Sequence, residues 1–147
     1  MSQFKFSLEK LLNYKIAIEN QKQESLASHQ IKRQQLEWDL SCTLQEYDCI
    51  IRSITSVKTL DLPMLSHQLE YMESLKKKAD QLSDAICETD KIIKKCRHEL
   101  IIAMKNRKVI EKLKVRKKQA FFVEMDKRQT NEINESALIR HLRGSES

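Results

Sequence analysis

Four cysteines and four histidines are the side chains in this sequence best suited to hold a transition metal or begin covalent chemistry. Their spacing argues against both. Cys42 and Cys49 are separated by six residues and Cys87 and Cys96 by eight, which matches neither the short ligand spacings of zinc sites nor a redox CxxC. His29, His67, His98 and His141 are scattered along the chain. One glycine in 147 residues leaves no phosphate-cradling loop. The acid pairs Glu70/Glu73 and Glu88/Asp90 read as solvent-facing helix charges. These residues predict a chain that is not an enzyme, with no cofactor, no metal and no small-molecule substrate, and with reduced cysteines serving as small helix residues.

A second feature with chemical meaning is charge. Lys105, Arg107, Lys108, Lys112, Lys114, Arg116, Lys117 and Lys118 share their stretch with one acid, Glu111. The formal net charge of +6 is therefore concentrated here, with the rest of the chain near balance. Such a run can be a solvated face, or it can steer an acidic protein, an anionic membrane or nucleic acid. Nucleic acid ranks last, because few aromatics are interleaved as stacking platforms and the long apolar ladder precedes the basic run. Membrane-surface docking stays open, since Ile101, Ile102, Val109, Ile110 and Leu113 alternate with the lysines.

The elements that must carry these residues are helices. Leu75, Ala79, Leu82, Ile86, Thr89, Ile93, Cys96, Leu100, Ala103, Arg107 and Ile110 step by four and three without a break, the repeat of a left-handed coiled coil. An earlier ladder, Leu40, Leu44, Tyr47, Ile51 and Ile54, answers it, preceded by Leu36 and by Leu8, Leu11 and Leu12. Between them lies the breaker Thr59-Leu60-Asp61-Leu62-Pro63. With 33% charged and 5% aromatic residues the chain can bury a stripe but not a thick core. The expected fold is all-α: a long antiparallel two-helix coiled-coil hairpin forming a single rod over residues 1–147. Helix one covers about 7–58, the turn about 59–63 and helix two about 64–143.

Local signals set the ends. Ser7 is expected to cap helix one, with Phe6 and Leu11 as a hydrophobic staple, and Asp61 to cap helix two with Pro63 in its first turn. Folding about Asp61 brings the start of helix one to roughly Lys114–Lys117 and sets no two cysteines face to face. Helix two is then the longer and overhangs at its C-terminus. The overhang carries Phe121, Phe122, Val123, Met125, Ile133, Leu138, Ile139 and Leu142 with nothing in helix one to cover them, which predicts a protein partner there. The longest apolar run, Leu100–Met104, is far short of the roughly 20 residues of a membrane span, and Lys5, Glu9 and Lys10 stand where a signal peptide would place its apolar segment. A cytoplasmic location is expected.

The opening Phe4-Lys5-Phe6-Ser7-Leu8-Glu9-Lys10-Leu11-Leu12-Asn13-Tyr14-Lys15, the block Asn106–Lys114 and the ending Glu132–Ile139 together resemble the flagellar export protein FliJ, particularly its Gram-positive versions. The resemblance implies a two-helix stalk similar to the shaft of rotary ATPases, at work in flagellar type III secretion and hence in motility. It implies three partners: the flagellar export ATPase hexamer, the cytoplasmic domain of the membrane export gate, and export chaperones. Its place would be peripheral, at the cytoplasmic face of the membrane. On this reading the ring-binding residues are Leu8, Leu11, Leu12, Lys105, Arg107, Lys108, Ile110, Lys112, Leu113, Lys114 and Phe121. The gate-binding residues are Tyr71, Leu75, Lys78 and Leu82, with Lys78 standing where the family commonly has a small apolar residue. A generic coiled-coil adaptor or an injectisome stalk is the alternative, and a basic membrane-surface or nucleic-acid binder ranks after them.

Overall fold

The computed structural model describes residues 3–59 and 61–145; Leu60, part of the expected turn, lies outside the described residues. Two helices make up the structure, α1 (Glu9–Ser56) and α2 (Leu62–Gly144), of 48 and 83 residues. They pack against each other as an antiparallel helical hairpin, with no strand among the described residues. Among the described residues no helix is long and apolar enough to cross a membrane. The chain divides into two compact units, one of Asn20–Ile101 and one of Met1–Glu19 with Ile102–Ser147.

In the Asn20–Ile101 unit, every rung that the α2 ladder offers, from Leu75 to Leu100, is buried or half-buried. The α1 side differs from expectation. Leu44 and Ile51 point outward, and Thr43 and Ile50 take their places, so the seam runs Leu36, Leu40, Thr43, Tyr47, Ile50, Ile54. Going back along α1, the same alternation of three and four passes through Arg33, His29, Leu26 and Lys22. Three of these four rungs are polar, so apolar periodicity does not reveal them.

Most polar rungs in the seam find a partner, as buried polar groups tend to. Thr43 and Thr89 donate their hydroxyls back to the carbonyls of Asp39 and Ala85, both at 2.8 Å. The Lys22 ammonium donates to Glu99 Oε2 at 2.8 Å, and Arg33 donates to Asp90. Ser25 Oγ lies 4.0 Å from Cys96 Sγ. All four cysteines are free thiols, Cys96 half-buried and the others exposed.

The Lys22–Glu99 pair makes stability depend on pH with a definite sign. The ammonium holds the Glu99 carboxyl below its ordinary value near 4.5, by its hydrogen bond first and its charge second. A lowered folded pKa gives stability that is full above the ordinary value and is lost as pH falls through the lowered one. Lys22, raised above 10.5 by the same hydrogen bond and charge, keeps its contribution below that value and loses it as pH rises through the raised one. Glu99→Gln should therefore reduce the wild-type loss of Tm between neutral pH and pH values below about 4.5. Thermal melts across that range check it, and an unchanged slope would show the pair to be inert.

Ser7 does not open α1. The chain turns at Ser7 and Leu8, the Glu9 amide reaches the Phe6 carbonyl at 3.2 Å, and the Leu8 carbonyl accepts the first helical bond from Leu12 at 2.9 Å. Leu8 thus holds the cap position, and Leu12 rather than Leu11 turns inward. At α2, Asp61 takes the cap position, its carbonyl accepting from Leu65 at 2.9 Å, and Pro63 follows in the first turn, where its missing N–H costs little.

Candidate functional site

The unit of Met1–Glu19 with Ile102–Ser147 holds the basic run. Helix α2 reaches through it without glycine or proline before Gly144, so residues three and four apart share a face. Lys105, Lys108, Lys112 and Arg116 are all exposed and succeed one another at those steps; Lys117 and Lys118 are exposed beside them.

The run's single acid, Glu111, borders this face but is paired with Arg107. Arg107 occupies a seam rung, donating Nε to the buried Glu19 carboxylate and Nη1 to Glu111 at 2.6 Å. Both carboxylates, Glu111 first, hold the guanidinium still more firmly protonated. Lys114 is also committed inward, at 2.8 Å from a Glu9 oxygen and with its ammonium 5.9 Å from the centre of the Phe6 ring. The exposed lysines therefore stand with little compensating charge, which strengthens their field toward an acidic partner.

Three phenylalanines close this part of the unit. The ring of Phe4 packs on Phe121 at 5.6 Å between centroids, and Phe121 meets Phe122 edge to face at 5.8 Å. Phe6 is buried. The expectation that nothing covers Phe121 is thus corrected: the short segment ahead of α1 does so. The sequence signal for this clasp is the Phe4-x-Phe6 pair before the first helix, of which the staple uses only Phe6. Beyond it, Ile133, Leu138, Ile139 and Leu142 are exposed.

Of the expected ring-binding residues, Lys105, Lys108, Lys112 and Leu11 are accessible, while Leu8, Ile110, Leu113 and Phe121 are half-buried. Leu12, 5% exposed, is closed inside the seam, and Arg107 and Lys114 are engaged within the protein. Of the expected gate-binding residues, Tyr71 and Lys78 are exposed, Leu82 is half-buried and Leu75, 4% exposed, is core. The Tyr71 hydroxyl donates to Glu46, which raises its pKa above the ordinary phenol value. Leu44, turned out of the seam, is exposed on the rim of an apolar recess lined also by Tyr47, Leu75 and Ala79. Sequence reasoning missed it because a leucine at a ladder step looks buried.

No group of three or more His, Cys, Asp or Glu side chains among the described residues is placed to hold a metal ion. Comparison with curated proteins and with solved structures found no match. The profile of the family described as the flagellar FliJ protein matches residues 4–146. That match spans the aromatic clasp, both helices and the basic face, and the chain belongs to the FliJ family of flagellar export-related proteins.

Proposed function

We propose that this chain is the stalk of the flagellar export ATPase, its terminal unit seated in the hexameric ring through the exposed face Lys105, Lys108 and Lys112. The observation that carries the reading is the uncompensated basic face on a paired-helix end, in a chain that matches the family over residues 4–146. A seam closed by Leu12 and by the Glu19–Arg107 pair keeps this end a firm two-helix body. Its outer lysines can favour one arrangement of ring subunits over others through charge alone. Leu12, Arg107 and Lys114 support that face from within. In the hairpin unit, Tyr71 and Lys78, seven residues apart on one face of α2, form the surface offered to the cytoplasmic domain of the export gate, with Leu75 and Leu82 in the seam behind them. Export chaperones are further partners, and the site of action is the cytoplasmic face of the membrane at the flagellar base.

The test is ATP hydrolysis by the flagellar export ATPase of the same organism, titrated with this protein and with a Lys105→Glu/Lys108→Glu/Lys112→Glu variant. Wild type should stimulate turnover, saturating near one chain per hexamer. The variant should need about tenfold more protein or more, with unchanged helix content, since none of the three lysines braces the fold. Equal stimulation by both proteins would remove the basic face from the interface, and no stimulation by either would sink the stalk reading.

A further inference from the structure

Trp38 is the chain's single tryptophan, and it is 68% exposed. It does not stand alone. Ile31, Trp38, Cys42 and Cys49 fall at steps of seven, four and seven, which at 3.6 residues per turn puts them in a strip roughly 40° wide. All four are exposed, on the side of α1 away from the seam rungs Leu40, Thr43 and Tyr47. Large aromatics exposed together with aliphatic neighbours mark interaction surfaces, because an indole hides much apolar area with little loss of side-chain freedom.

The charge beside the strip selects the partner. From Gln34 to Ile51, the stretch that holds Trp38, Cys42 and Cys49, there is no lysine or arginine, whereas Glu37 and Asp48 lie on one flank and Asp39 and Glu46 on the other; Ile31 lies just outside it, beside Lys32. Glu37 meets Arg33 at 2.8 Å, but Asp39 and Glu46 receive hydrogen bonds only from neutral groups, the Gln35 amide and the Tyr71 hydroxyl. An apolar strip between acidic flanks is the complement of a helix with an apolar stripe between basic flanks. We propose that this outer face of α1 is a docking surface for a basic amphipathic helix of a partner protein.

Trp38 reports its own burial. The protein is titrated with a synthetic helix of leucine and lysine in heptad order, and with its leucine–glutamate counterpart, while tryptophan emission is recorded. The lysine helix should shift the emission to shorter wavelength, saturably and less at higher salt, and the glutamate helix should not. Anisotropy of a dye-labelled lysine helix extends the test to variants without the indole. Trp38→Ala should weaken binding about tenfold or more, Glu46→Gln/Asp48→Asn should weaken it further, and the helical circular dichroism of both variants should stay at the wild-type level. Absence of an emission shift, equal binding of the two helices, or unchanged affinity in Trp38→Ala would overturn the proposal. Sedimentation showing that the protein alone dimerises through Trp38 would also overturn it, by making a second copy the occupant.

Discussion

Leu75→Ala should cost about 3 kcal/mol of stability, and Leu44→Ala less than about 1 kcal/mol, although both leucines sit on heptad ladders visible in the sequence. Leu75 is 4% exposed, against Thr43 and Tyr47 of α1, so truncation removes buried apolar surface and leaves a space that two long helices cannot easily close. Leu44 is 48% exposed and loses little. For a chain of this length the first change corresponds to a Tm lower by roughly 10 °C and the second to a shift of a few degrees at most. Paired thermal melts followed by circular dichroism decide it. Similar losses for the two variants would mean that α1 is rotated to the Leu44 phase, with Thr43 outside.

Arg107→Leu should lower Tm by about 5 °C, and the double variant Glu19→Leu/Arg107→Leu should recover most of that loss or exceed wild type. Removing the arginine alone leaves the Glu19 carboxylate buried without its partner, and an uncompensated buried charge is what makes a broken pair costly. Replacing both ends with apolar side chains removes the desolvation cost along with the pair. The same substitution has a second, functional consequence. Without Arg107, Glu111 is left unpaired beside Lys108 and Lys112, so under the proposed seating in the ring the double variant should stimulate the export ATPase less despite its stability. A double variant no better than the sum of its parts would show that Glu19 and Arg107 are not energetically coupled.

The α2 ladder was fully legible, because apolar or small residues occupy nearly every rung and each one is buried or half-buried in the structure. The α1 ladder was not. Between Leu12 and Leu36 its rungs include Glu19, Lys22, His29 and Arg33, residues that periodicity analysis assigns to solvent. Glu19, Lys22 and Arg33 enter the seam because α2 supplies Arg107, Glu99 and Asp90 at the matching levels. With that phase fixed, Thr43 must point inward and Leu44 outward, the reverse of the apolar reading. The basic run was legible as composition, but its exposed face was not, since which cations are spent inside depends on Glu9, Glu19 and Phe6.

The sequence by itself determined the helices, their turn, the length difference between them and the flagellar FliJ family, because heptad spacing, a lone proline and end-to-end motifs are local in the chain. The tertiary structure decided which residues those helices share. Pairing two antiparallel helices selects one rotation for each, and that choice is made by contacts across α1 and α2 such as Glu19–Arg107, Lys22–Glu99 and Arg33–Asp90. It turns Leu12 and Arg107 inward and leaves Lys105, Lys108, Lys112 and Trp38 outside, since a charge can be buried only where its partner reaches it and an indole is left in water only where no second helix runs.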